Sequence, residues 1–143
     1  MSGRKTNDGM GAWIADTLHD RRGGRAGSAL VLGLTFKENV PDLRNSRSFD
    51  LIARLRELGH EVEIDDPLAS PQEVEREYGL RLDRTQDRAF DLVIGAVAHQ
   101  EYRDLSDEAL NAMITEGGTL ADLKGMWRDR VIGGDHPVDR WQL

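Results

Sequence analysis

The sequence predicts an α/β fold built on a mostly parallel sheet of about five strands, with a helix leading into it. Three observations carry the prediction. Short runs of continuous apolar residues recur, and a run without polar alternation fits a strand covered on both faces. Segments with apolar residues at helical spacing stand between those runs. Glycine, proline or a short polar cap marks nearly every junction.

The elements follow in order. Residues 7 to about 22 read as the leading helix, because Met10, Trp13, Ile14 and Leu18 form an apolar stripe. Asn7 or Asp8 can cap its start, and Gly23-Gly24 ends it. Ala29-Leu30-Val31-Leu32-Gly33-Leu34 is the first buried strand. A polar loop containing Pro41 follows, and Asn45 or Ser46 caps a helix to Leu58 with Phe49, Leu51, Ile52 and Leu55 on its apolar face. Glu61-Val62-Glu63-Ile64-Asp65 alternates as a second strand. Ser70 at the cap and Pro71 at the first helical position open a short helix that ends near Gly79. The run 90–98 is the next strand. Ser106 opens a helix to about Ile114, broken by Gly117-Gly118. Thr119-Leu120-Ala121-Asp122 is a further strand, and Val131-Ile132 is a candidate for the last one. Strands alternating with helices predict a Rossmann-like three-layer sandwich. Ligands on such sheets bind beyond the carboxyl ends of the strands, so the loops 35–45, 65–70, 98–104 and 124–128 are the ones to watch.

Composition narrows the function. The 143 residues suit one compact domain, with 38% hydrophobic and 31% charged residues. No apolar run approaches the roughly 20 residues that span a bilayer, so no membrane partner is expected. A net charge of −7 argues against coating a nucleic acid backbone. The chain has no cysteine, which excludes disulfides, thiolate metal ligands and a thiol nucleophile. His19, His60, His99 and His136 show no ligand spacing, so no metal site is expected. A cytoplasmic location is the expectation.

The first strand leads into Gly33-Leu34-Thr35-Phe36-Lys37-Glu38-Asn39. A dinucleotide site would carry G-x-G-x-x-G here, and only Gly33 is present, so this chain is not expected to bind NAD. Asp65 and Asp66 lie where a ribose-binding acid follows a second strand. The plainer reading, that Asp66-Pro67 terminates the strand, is preferred while the other glycines are absent.

Residues 31–50 read V-L-G-L-T-F-K-E-N-V-P-D-L-R-N-S-R-S-F-D. This stretch resembles the C-terminal domain of the UDP-glucose/GDP-mannose dehydrogenase family, and looks closest to the branch that oxidises UDP-N-acetylhexosamines. Asn7-Asp8-Gly9-Met10-Gly11 resembles the start of the family's connecting helix. Asp66-Pro67, Ala96-Val97-Ala98-His99 and Asp122-Leu123-Lys124-Gly125 are similar to its D-P, A-V-A-H and D-x-K-G. The resemblance implies that residues 1–24 are the end of a connecting helix and 25–143 a nucleotide-sugar (UDP) binding domain. It implies a longer, homodimeric enzyme in which an upstream domain binds NAD and a middle region carries a cysteine nucleophile. That enzyme converts the sugar C6 alcohol to a carboxylate. This chain alone would hold UDP-N-acetylhexosamine or UDP-glucose, with no catalytic residue and no cofactor of its own.

Five residues are candidates for that ligand. Phe36 could pack on uracil or anchor its loop in the core. Lys37 could neutralise a phosphate or hold a sugar hydroxyl, where the alternative is a solvated lysine. Arg44, with Asp42 and Arg47 nearby, could bind the diphosphate or pair with Asp42 to shape the loop. Lys124 matches the family's basic residue at the substrate, again against a solvated role. His99 could donate to a ribose hydroxyl or base carbonyl, or satisfy backbone contacts. Asp122 is expected to fix its loop, and Trp127 and Trp141 to pack. Three other readings stay open: the GDP-mannose branch, a dimerisation module with a vestigial nucleotide site, and a receiver-like regulatory domain suggested by Asp65, Asp66 and Lys124.

Overall fold

The computed structural model describes residues 2–35, 38–41, 43, 46, 48–82, 88–133 and 137–143, with backbone alone for 2–9. The elements in chain order are α1 (Ser2–Arg21), β1 (Ser28–Leu32), α2 (Ser48–Glu57), β2 (Glu61–Asp65), α3 (Pro71–Tyr78), β3 (Phe90–Gly95), α4 (Gln100–Arg103), α5 (Asp107–Ala112), β4 (Ile114–Asp122) and β5 (Asp139–Gln142). The strands lie in the order β2-β1-β3-β4-β5, and every neighbouring pair is parallel.

Strand alternation produces two cores, one on each face of the sheet. Ala29, Val31, Leu92 and Ile94 point to the face covered by Ile14, Ala15 and Leu18 of α1, Leu51, Ile52 and Leu55 of α2, and Val74 of α3. Leu30, Leu32 and Val93 point the other way, onto Tyr102, Leu110 and Trp127. This is the three-layer sandwich predicted from the sequence. Each fully buried Leu or Ile contributes about 1.5–3 kcal/mol, so packing on the sheet, more than helix propensity, holds these short helices in place. Trp127 is the largest side chain in the second core and leaves no room on β3. A Cβ on Gly95 would stand 2.6 Å from its ring, and its indole N–H donates to the Tyr102 carbonyl at 2.9 Å.

Capping follows the sequence closely. Ser70 Oγ accepts from Glu73 N ahead of Pro71, Ser106 Oγ accepts from Ala109 N, and Ser46 Oγ accepts from Ser48 N. Asn7 and Asp8, by contrast, lie inside α1, which already starts at Ser2. Asn and Asp cost only a few tenths of a kcal/mol inside a helix, so they permit a start without enforcing one. The apolar stripe of α1 also divides: Ile14 and Leu18 are buried, whereas Met10 and Trp13 are exposed, with Trp13 tilted toward Trp141 at 6.2 Å.

Several boundaries differ from expectation: β1 ends at Leu32, ahead of Gly33-Leu34, and α5 ends at Ala112. β3 stops at Gly95, and Ala96-Val97-Ala98 continues buried but outside the ladder. β4 begins at Ile114, so Gly117-Gly118 falls within a strand, where Gly117 N bonds to the Pro137 carbonyl. The last strand is Asp139–Gln142; Val131 and Ile132 are not in a strand. α4 is a single turn of four residues that no apolar periodicity in the sequence signals.

Candidate functional site

Consecutive strands run outward from the sheet centre in opposite directions: the chain leaves β1 toward β2, and leaves β3 toward β4. Their exit loops therefore part, opening a crevice at the carboxyl edge between β1 and β3, which is the position where open parallel sheets bind ligands. A cavity of about 320 Å³ sits there, lined by Thr35 after β1, Ala96 and Val97 after β3, and Leu123 and Lys124 after β4. Ile14 of α1 and Ser48 of α2 supply the side wall. Its size is at the small end of ordinary ligand pockets, about 300–1,000 Å³.

The turn out of β1 is tied down by the protein itself. Gly33 has φ of 108°, and a Cβ on it would lie 2.5 Å from Val97 Cβ and 2.7 Å from Val97 N. Glycine is needed because the loop from β3 presses against it. Gly33 N donates to the Asp65 carbonyl at 2.8 Å, and Leu34 N and Thr35 N donate to Asp66 Oδ2 at 2.7 and 3.1 Å. These are the amides that a dinucleotide fold leaves bare for a pyrophosphate. Here a buried carboxylate fills the nest, so the described residues of this turn do not fit NAD.

Asp66 does more than terminate β2. Its other oxygen, Oδ1, accepts from Leu68 N at 2.8 Å and Ala69 N at 3.2 Å. His99 Nε2 stands 3.0 Å from Oδ2. Burial pushes the Asp66 pKa up, but the hydrogen bonds from His99, Leu34 N and Leu68 N outweigh it and hold the carboxyl below its ordinary range. One anion thus joins the loops after β1, β2 and β3.

Of the sequence candidates, Lys124 and His99 are described. Lys124 is exposed, lines the cavity and makes no ion pair with a described residue. His99 is fully buried, with Nε2 near Asp66 and Thr35 Oγ1 and Nδ1 accepting from Asn39 N at 2.9 Å. Phe36, Lys37, Asp42, Arg44, Asn45, Arg47 and His136 lie outside the described residues. Asp122 accepts from Met126 N and Trp127 N at 3.0 and 2.8 Å, holding the turn that carries Lys124. Sequence reading missed Thr35 and Ser48 as cavity residues. Ser48 Oγ donates to the Gly33 carbonyl at 3.0 Å, a link across 15 positions that no local pattern signals.

A second cavity, of about 370 Å³, opens near Arg21, Arg22, Arg25 and Asp139. It lies at the amino edge of the sheet, and its cations are engaged: Arg21 pairs with Asp139, while Arg22 and Arg25 donate to backbone carbonyls. Position and free charge both favour the carboxyl-edge cavity. Nearby, His19 Nδ1 and His60 Nε2 meet at 2.9 Å although 41 residues separate them. Among the described residues no group of three or more His, Cys, Asp or Glu is arranged to hold a metal ion.

Residues 30–129 match the UDP binding domain of the UDP-glucose/GDP-mannose dehydrogenase family. The chain belongs to that family. It is 35% identical over 130 residues to the UDP-N-acetyl-D-glucosamine 6-dehydrogenase of Salmonella typhi, covering 87% of this chain and 31% of that protein. It is 36% identical over 130 residues to the enzyme of the same name from Pseudomonas aeruginosa, with the same coverage of 87% and 31%. The chain therefore spans about a third of the length of these relatives. The fold matches that of the UDP-N-acetyl-mannosamine dehydrogenase Cap5O from Staphylococcus aureus, with a TM-score of 0.70 at 24% identity, covering 98% of this chain and 31% of that one. The matched residues 30–129 run from β1 to the turn after β4; α1 and β5 lie outside the match. The missing dinucleotide fingerprint at β1 has its structural counterpart in the Asp66-filled nest.

Proposed function

We propose that this chain holds the UDP moiety of a nucleotide sugar for a 6-dehydrogenase that oxidises the sugar C6 alcohol to a carboxylate, with UDP-N-acetylhexosamine or UDP-glucose as substrate. One observation carries the reading: the family's UDP binding domain presents a cavity at its β1/β3 crevice with the exposed ammonium of Lys124 on the rim. NAD, on this reading, is bound by another part of the enzyme, as is the cysteine nucleophile, because this chain has neither a fitting dinucleotide turn nor a cysteine. The chain contributes binding and orientation and is inactive alone. Lys124 neutralises phosphate; Phe36, Lys37 and Arg44 contact the nucleotide as the family resemblance implies; His99 acts from beneath the loop. Residues 1–24 form the end of the connecting helix and 25–143 the nucleotide-sugar domain of a cytoplasmic homodimer. Met10 and Trp13, exposed on α1 at 44% and 52%, favour an interface along that helix. Among the described residues no helix is long and apolar enough to cross a membrane.

Calorimetric titration with UDP tests the proposal. The expected dissociation constant is on the order of 0.1–1 mM, since contacts from other domains are absent. Lys124→Ala should weaken it by about five- to tenfold while changing stability by less than about 0.5 kcal/mol, as befits an exposed side chain. A folded chain that gives no heat at about 5 mM UDP sinks the reading.

A further inference from the structure

The imidazole of His99 is fully buried, and both of its nitrogens face protein atoms. Asn39 N–H points at Nδ1, so Nδ1 is a bare acceptor and the ring proton sits on Nε2. Nε2–H faces Asp66 Oδ2 at 3.0 Å and Thr35 Oγ1 at 3.1 Å. Thr35 lines the cavity, and its backbone is held by the same Asp66 oxygen. Asn39 sits at φ of 63°, a left-handed conformation that asparagine adopts more readily than other residues with a side chain. There its Oδ1 accepts from Gln100 N at 2.9 Å, and its N–H donates to His99 Nδ1 at 2.9 Å. His99 thus grips Thr35 and Asn39 from one buried point.

We infer that His99, in its Nε2–H form and anchored by Asp66 and Thr35, is a positioning residue for nucleotide binding: its Nδ1 fixes Asn39 of the loop leaving β1 before any ligand arrives. The inference rests on the proposed UDP reading and deepens it. A loop held in its bound shape spares the ligand the entropy of ordering it. The two ring nitrogens do separate jobs. Nδ1 holds Asn39, and Nε2 holds Asp66 and Thr35. Side-chain amides imitate them separately, because an asparagine amide reaches about as far as Nδ1 and a glutamine amide about as far as Nε2.

The test compares His99→Asn and His99→Gln in the full 143-residue chain, read by UDP calorimetry and by amide hydrogen exchange. H99N keeps an acceptor for Asn39 N and should bind UDP within about threefold of the parent; H99Q loses that acceptor and should bind about tenfold more weakly. Asn39 N–H exchange should rise about tenfold or more in H99Q and little in H99N. A purely structural role would weaken both variants alike. Equal UDP affinity in H99Q and the parent, or equal losses in the two variants, overturns the inference. Imidazole ¹⁵N shifts of the unsubstituted chain add a measurement free of folding defects: a proton on Nδ1 overturns it, and one on Nε2 supports it. If the parent gives no heat with UDP, the UDP reading fails and the positioning role in nucleotide binding fails with it. Asn39 exchange then still reports whether His99 clamps the loop.

Discussion

Replacing Asp66 with asparagine probes the knot at the carboxyl edge directly. The carboxylate accepts from four backbone amides, two on each oxygen, and one oxygen also faces His99 Nε2. Asparagine has one oxygen and one NH2 group. Whichever way it turns, the NH2 meets two N–H donors that then have no acceptor. Hydrogen bonds to a charged group contribute about 1.5–3 kcal/mol each, so two lost bonds cost about 3–6 kcal/mol, and partial relaxation brings the expectation to about 3–5 kcal/mol. That is a large share of the roughly 5–15 kcal/mol that stabilises an ordinary domain. Urea unfolding followed by circular dichroism measures it as a drop in midpoint at unchanged slope. The pH dependence supplies a second reading. The folded-state pKa of Asp66 is depressed, so its contribution is present above the unfolded value near 4 and is lost as pH falls through the folded value. Asp66→Asn should lack that part of the acid-induced loss. A destabilisation under about 1 kcal/mol would refute the knot, because no rotamer of asparagine leaves all four amides paired.

Gly33→Ala should cost about 2–4 kcal/mol, since φ of 108° strains any side chain and the new Cβ meets Val97 Cβ at 2.5 Å; chemical denaturation that finds less than about 0.5 kcal/mol would show that the turn gives way freely. His60 is buried, and its pKa is lowered by desolvation first and then by His19 and Arg22. The unfolded chain therefore takes up that proton first, and stability should fall as pH drops below about 6.5. Urea midpoints at pH 7.5 and 5.5 measure the fall, which should shrink in His60→Asn.

Much of the scaffold was legible because its signals are local. The run 29–34 has no polar alternation, and its first four residues lie in β1, an interior strand with both faces covered, while Gly33 and Leu34 form the turn out of it. Ser70-Pro71 and Ser106 cap helices with bonds to residues three positions ahead, all within one turn of sequence. The misreadings share a cause: apolarity reports burial, not hydrogen-bond partners. Ala96-Val97-Ala98 is as buried as a strand, but Ala96 N and Val97 N both bond back to the Leu32 carbonyl, where β1 ends, and the chain there leaves the ladder to seat Val97 on Gly33. β5 has no strand pattern in Asp-Arg-Trp-Gln; it exists because β4 offers an unpaired edge. At the site, Lys124 stood out as a cation after a strand. Asp66 looked like a terminator because its partners Leu34 and His99 are 32 and 33 residues away.

The filled nest also bears on how a diphosphate can be held. Parallel α/β sheets have two devices for anions beyond their strands: bare backbone amides at the first turn, and side-chain cations on the loops. The first is spent here on Asp66, whose carboxylate already draws the amides of Leu34 and Thr35. A second anion brought to those amides would meet that buried charge, and like charges at such separations in a desolvated site repel by several kcal/mol. On the proposed reading, a nucleotide diphosphate lies outside the turn and finds its counter-charge in side chains such as Lys124, which stands on the cavity rim, exposed and without an ion-pair partner among the described residues. The internal carboxylate thereby does two things at once. It ties together the loops after β1, β2 and β3, and it occupies two backbone amides at the first turn, which on the proposed reading leaves ligand selection to side chains of the loops.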